Sequence, residues 1–539
     1  MTGLFLIIFL TTCVLGQEHP SVCLDDGTCY IGSWMESAKG SPFASYQGIR
    51  YAEPPIGKLR FRPPFPFESN SNTFDVSQES TVQCPQLKNY YLPDGQEDCL
   101  LLNIYVPEKS EGQTLPVMFW IPGGELVVGS NRYGEYGPQE FMDRNVIIVT
   151  VNYRLGPFGF LSLGTPQVSG NAGFLDQKLA LKWVNQNIEA FGGDKDSITI
   201  FGESAGALSV GIQLVSPMSE GLFQRAILQS SSTEAPGWKI LNESLAIHYG
   251  NIFKEKLGCD KTTNSLECLQ RKSMEEIINL TYQINTEGRT VWSGVPDNEF
   301  LPDNPTILLE NGDFNPNVEV IISTTKQEGI LLLFQQLADP SKWSNFRDNF
   351  DTIAPKMLFS IPYFDEITDL DLDRANKVFD HYIGSKVNID EDHTDGIIEL
   401  FTDSGFLFGL YKTANYLMKQ NVKVYQAILT YHGEHSFTEG FGFDNYGICH
   451  GDDLFYLWKQ NNVTLNENDS KVREIMTDAW TNFAKFGDPT PPGSEFSWLP
   501  VENPDFHKLW NISGAFPEMS KSQEIQDRME FWTELLKNE

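Results

Sequence analysis

The sequence predicts an α/β protein, with a large, mostly parallel central sheet and helices on both faces. Three observations carry that prediction. The runs VMFWI (117–121) and VIIVTVNY (146–153) are β-branched and aromatic and have strand length. FLDQKLALKWVNQNIEAF (174–191) carries apolar residues at helical spacing and meets a stop signal at Gly192-Gly193. SITIFG (197–202) then reads as another buried strand. Strand, helix and strand in that order feed a parallel sheet covered on both sides. Open sheets of this kind place chemistry at the C-terminal ends of their strands.

The chain of 539 residues is 40% hydrophobic, enough to build one large core, and no internal repeat or low-complexity linker divides it. Residues 17–539 therefore read as a single domain. With 39 Lys+Arg against 72 Asp+Glu, the formal net charge is −33. That balance argues against nucleic acid or an anionic lipid surface as a partner, because both need cationic patches. Most of these carboxylates are expected to do no more than solvate the surface. The N-terminus has an apolar run from Leu4 to Leu15, with Val14 and Gly16 as small residues before Gln17. This is a signal-peptide pattern too short to span a bilayer, with cleavage expected after Gly16. FWTELLKNE at the other end is no anchor signal. The expectation is a secreted, extracellular protein without a membrane anchor.

Cysteine usage fits that compartment. Cys13 leaves with the signal peptide, and Cys23, Cys29, Cys84, Cys99, Cys259, Cys268 and Cys449 remain. An odd count implies an unpaired thiol or an intermolecular bond. Neighbours in sequence make 23–29, 84–99 and 259–268 the natural candidate pairs, leaving Cys449 over. Sequons at Asn242, Asn279, Asn462, Asn468 and Asn511 are open to glycans in a eukaryotic secretory pathway.

The strand SITIFG runs into Gly202-Glu203-Ser204-Ala205-Gly206 and then a helical pattern. Two glycines flank the serine because a strand-to-helix turn this tight leaves no room for side chains. The turn exposes the Ser204 oxygen at the start of a helix, where N–H groups point outward. The competing reading is a helix-capping serine between packing glycines. A serine needs a base to act as a nucleophile. Among eight histidines, His450 in GICHGDDLFYLW stands out, presented on a loop before an apolar segment. His432 and His435 invite a metal reading, but no set of Cys, Asp or Glu at ligand spacing accompanies them. No metal or other cofactor is expected. In a nucleophile elbow the acid lies between serine and histidine in the chain. VEVIISTTKQEGILLLF supplies a strand ending in Glu328-Gly329. Asp452 and Asp453 come too late in that order and read as a helix N-terminus.

At this point the chain resembles the type-B carboxylesterases, the cholinesterase-like branch of the α/β-hydrolases, over nearly all its mature length. The resemblance rests on YQGIRYAEPPIGKLRF (46–61), EDCLLLNIYVP (97–107), NYRLGPFGFL (152–161), GNAGFLDQ (170–177), FGGDKDSITIFGESAG (191–206), KQEG (326–329), GICHGDDL (447–454) and WTNFAKFGDPTP (480–491). Secreted insect esterases are the nearest branch. The resemblance implies an α/β-hydrolase fold, with Ser204 as nucleophile, His450 as general base and acid, and Glu328 orienting the histidine. It also implies disulfides 84–99 and 259–268. The oxyanion hole it implies uses the N–H groups of Gly124, Glu125 and Ala205. Its substrate would be a small-molecule ester. The loop between Cys84 and Cys99 holds Tyr90 and Tyr91 and no tryptophan, which disfavours a stacked choline. Glu203, where juvenile-hormone esterases carry glutamine, counts mildly against that substrate. Small to medium apolar esters remain.

Two residues depart from the family pattern. IPGGEL places Glu125 where a glycine is usual, and Pro122 stands where histidine or tyrosine is usual. The Glu125 N–H still donates, but its carboxylate is the wrong charge for an oxyanion site. It turns away into solvent or onto a cation, or burial protonates it, or it holds a water as a second base. The alternative function is therefore a stoichiometric binder, a scavenger of esters or organophosphates with impaired turnover.

Overall fold

The computed structural model describes residues 19–88, 92–108, 112–236, 240–284, 291–361, 365–442, 446–502 and 508–537. The signal segment 1–16, Tyr90 and Tyr91 lie outside them. Eleven strands form one sheet: β1 (Ser33–Glu36), β2 (Pro42–Arg50), β3 (Leu101–Pro107), β4 (Leu115–Ile121), β5 (Ile147–Val151), β6 (Gly193–Glu203), β7 (Arg225–Gln229), β8 (Glu319–Thr325), β9 (Lys423–Leu429), β10 (Leu509–Ile512) and β11 (Glu518–Ser520). Their spatial order is β11-β10-β9-β8-β7-β6-β4-β5-β3-β2-β1. From β5 through β10 all neighbours are parallel. The strands at the two edges, β1 to β3 and β11, pair antiparallel. The sheet is thus mostly parallel where the expected site lies, and the chain has the α/β-hydrolase architecture.

Successive side chains of a strand point to opposite faces, so a sheet covered on both sides divides its residues between two cores. In β4, Val117, Phe119 and Ile121 enter one core while Met118 and Trp120 enter the other. Neighbouring β6 does the same with Ile198 and Ile200 against Phe201. On the second face Trp120, Phe201 and Trp458 pack ring on ring, with centroids 4.8 to 5.8 Å apart. Trp458 lies just past His450 in the chain and pins the loop that carries it to the sheet. On the first face the helix Ala205–Val215 is buried on every side, as expected for a helix apolar all round. A third core gathers the helices Ile330–Ala338, Thr394–Thr402 and Gln523–Leu535.

Candidate active site

The turn after β6 is shaped by contacts that exclude side chains. A Cβ on Gly202 would stand 2.5 Å from the Gly206 carbonyl carbon, and one on Gly206 would stand 2.1 Å from the Ile121 carbonyl oxygen. The two strand ends and the helix therefore meet backbone to backbone. Ser204, held between them, has φ 59° and ψ −127°. A non-glycine residue in such a conformation costs on the order of 1–3 kcal/mol and persists only when its surroundings enforce it. Here the Ser204 N–H donates to the Gln229 carbonyl at 2.9 Å, and its carbonyl accepts from Leu208 N–H at 3.0 Å.

Glu328 follows β8 and is fully buried. One carboxylate oxygen accepts from the Thr324 hydroxyl at 2.9 Å and the Thr325 N–H at 2.6 Å. The other stands 2.6 Å from His450 Nδ1. With an acceptor there, Nδ1 keeps a proton, and Nε2 is the basic nitrogen whenever the ring is neutral. Nε2 lies 3.0 Å from Glu203 Oε1. Among the described residues Ser204 Oγ makes no hydrogen bond, and the imidazole sits between two carboxylates, one of them on the residue before Ser204. Burial opposes a charge on His450, but the Glu203 and Glu328 carboxylates override it and raise its pKa to about 9. Burial pushes Glu203 the same way, to about 8, against the pull of His450.

Asp452 and Asp453 do more than begin a helix. They open the short 3₁₀ turn Asp452–Tyr456, as a helix N-terminus would, but both are buried. Asp452 accepts from the N–H groups of Cys449 and Phe437, each at 2.7 Å, and so clamps the two sides of the His450 loop. Asp453 accepts from the Gln229 amide at 2.6 Å, tying the same loop to the end of β7. Burial raises both, Asp452 to about 8 and Asp453 to about 6.

The glycine-rich turn approaches from the end of β4. A Cβ on Gly123 would stand 2.7 Å from the Glu203 carbonyl oxygen and 3.2 Å from Ser204 Cβ, so this turn packs directly against Glu203 and Ser204. Gly124, Glu125 and Leu126 all have positive φ, at 104°, 56° and 61°. The N–H groups of Val127 and Val128 both return to the Gly124 carbonyl, at 3.0 and 2.9 Å. Pro122 is buried, and its carbonyl accepts from the Tyr153 hydroxyl at 2.8 Å. Glu125 is half-buried and Ala205 is buried at the start of its helix.

Cys23–Cys29, Cys84–Cys99 and Cys259–Cys268 are joined, and Cys449 is free and buried. Asn242, Asn279, Asn462 and Asn468 are exposed. Asn511 is half-buried in β10, where its side chain accepts from the Thr430 hydroxyl. His435 faces Glu439 at 3.5 Å and the Thr464 carbonyl at 3.1 Å. Sequence reasoning missed the part Glu203 plays beside His450, and it missed Phe406, whose ring lies 4.7 Å from the imidazole. The GESAG motif itself holds Glu203 next to Ser204, which was a usable signal. Phe406 left none.

Residues 20–532 match the carboxylesterase family. Among curated relatives, a juvenile hormone esterase of Tribolium castaneum is 34% identical, over 99% of this chain and 98% of its own. Venom carboxylesterase-6 of Apis mellifera is 32% identical, covering 94% and 93%. An acetylcholinesterase of Bungarus fasciatus is 30% identical, covering 89% and 78%.

Proposed function

The chain belongs to the carboxylesterase family, a family of ester hydrolases, and from that premise we propose that it is a secreted serine esterase that works through an acyl-enzyme on small to medium apolar esters. The observation that carries the reading is the 2.6 Å contact of Glu328 with His450, whose other ring nitrogen lies 3.0 Å from Glu203, the residue before a serine held at φ 59°. In the proposed reaction Ser204 attacks the ester carbonyl as His450 Nε2 takes its proton. Glu328 keeps the imidazole in the right tautomer and stabilises its charged form. The N–H groups of Gly124, Glu125 and Ala205 receive the oxyanion. His450 returns its proton to the leaving alcohol, then activates a water that releases the acid. Choline esters are disfavoured, because the 84–99 loop lacks a tryptophan. Secretion is supported by the three disulfides and the exposed sequons. No helix among the described residues is long and apolar enough to cross a membrane.

The test is hydrolysis of a chromogenic ester by wild type and Ser204→Ala. The variant is expected to fold normally and to lose about 10⁶-fold in kcat. Near-normal activity in the variant would remove Ser204 from the mechanism. A second reading, the stoichiometric scavenger, is favoured by Glu125 in the oxyanion turn and by the nearness of Nε2 to Glu203. The same assay separates the two readings. A single burst of one product per molecule supports the scavenger, and sustained release after the burst supports the esterase.

A further inference from the structure

The segment ELFTDSGFLFGLYK (399–412) is helical throughout, but its middle is wound differently. An α-helix covers Thr394–Thr402 and another Phe408–Lys419, while Asp403–Leu407 between them form a buried π-helical turn. There the Phe408 N–H reaches back five residues to the Asp403 carbonyl. Such turns insert one residue into a helix and are frequent at functional sites. The effect here is directional. Residues three apart share a face in an α-helix; in the wider turn they splay. Asp403 faces the helix Gln523–Leu535, where Arg528 Nε donates to it at 2.6 Å. Phe406 faces His450, with ring centroids 4.7 Å apart and planes tilted by 41°.

The same rod also meets the acid. Thr402 Oγ1 accepts from the Gly329 N–H at 2.9 Å, one residue past Glu328. A Cβ on Gly329 would stand 2.3 Å from the Ile398 carbonyl oxygen and 2.7 Å from the Thr402 nitrogen, so helix and acid loop are in backbone contact. One helical segment thus touches both the residue after Glu328 and the ring of His450, while Arg528 anchors it from behind.

We propose that the π-helical turn is a positioning device for the Glu328–His450 pair, with Thr402 and Phe406 as positioning residues; the proposal rests on the triad reading above. Thr402 fixes the loop that presents the carboxylate, and Phe406 fixes the plane of the imidazole. Neither group exchanges a proton or touches the ester. Misplacing a catalytic group by about 1 Å can cost about 10²-fold in rate, so losing either contact should lower kcat while leaving KM in place.

The experiment measures kcat and KM per folded molecule for Thr402→Val, Thr402→Ser, Phe406→Ala and Phe406→Leu, with the folded fraction taken from thermal unfolding. Thr402→Val and Phe406→Ala should each lose about tenfold or more in kcat, with KM within about twofold. Thr402→Ser keeps the accepting oxygen and should restore kcat. Phe406→Leu keeps most of the volume and stays folded if the alanine variant does not; it should lose about threefold. Wild-type kcat in folded Thr402→Val and Phe406→Leu, or a loss confined to KM or to thermal stability, would overturn the proposal. Ser204→Ala assayed in parallel keeps the two failures apart. If it remains active, the triad reading fails and not the positioning.

Discussion

Glu328 reaches His450 and the turn from Gly123 to Leu126 reaches Ser204, and the two are held in different ways. Glu328 is buried and engaged by three partners, Thr324, Thr325 and His450, so its place is set by side-chain chemistry. The turn is set by its backbone: positive φ at three consecutive residues and a Gly123 with no room for a Cβ. The acid–base half should therefore fail when a side chain is lost. The turn should fail when one is added, and Glu125 is a side chain already present there.

The largest expected effect breaks the first half. Glu328→Gln keeps the shape but removes the charge that stabilises the imidazolium and sets the tautomer. By analogy with the amide substitution in the serine-protease triad, kcat should fall about 10⁴-fold, with thermal stability showing the fold intact. A loss below tenfold would mean that Glu328 only packs against the histidine.

The second half is probed by Glu125→Gly, which suits a residue at φ 56°. If the carboxylate opposes the oxyanion, kcat on a chromogenic ester should rise, by up to about 10²–10³-fold, the range that one oxyanion donor commands. The same carboxylate could activate water on a phosphylated Ser204 from the wall opposite His450. Spontaneous recovery from organophosphate inhibition should then be slower in Glu125→Gly than in wild type. Both quantities unchanged would place the carboxylate outside the chemistry.

A smaller effect sharpens the boundary between the halves. Glu203 belongs to the Ser204 turn yet faces the histidine, and with Glu328 it holds His450 up at about 9 against the effect of burial. The base must be unprotonated to act, so kcat/KM falls as pH drops through that pKa. Glu203→Gln removes one of the two carboxylates, lowers the pKa, and should carry the acid limb of kcat/KM to lower pH. The check is a pH profile of both proteins; an unmoved limb, or one moved upward, contradicts the electrostatic assignment.

Local patterns made the sheet and the strand-to-helix turn at Ser204 legible, and long-range contacts hid the rest. VMFWI and VIIVTVNY are buried runs, and they appear as Leu115–Ile121 and Ile147–Val151. The helix expected over 174–191 appears as Ala172–Asn187 and then a 3₁₀ turn to Phe191, stopped by Gly192 at φ 82°. SITIFG is the end of a longer strand whose first residue, Gly193, pairs with Leu115 across a register shift. The contact of Glu203 with His450 joins residues far apart in the chain, and no local pattern encodes it. Asp452 and Asp453 read as a helix start, and their burial stayed hidden because charge alone does not reveal it. Nothing local marked the π-helical turn, whose five residues are all buried.

The account's central claim is that turnover passes through an ester on Ser204. The most direct measurement quenches wild type with acid during steady hydrolysis of a chromogenic ester, then maps the trapped acyl group by peptide mass. The account predicts one acyl group per molecule, on the peptide that contains Ser204, declining as substrate is exhausted while product release continues. Sustained turnover with no acyl group on that peptide would contradict it.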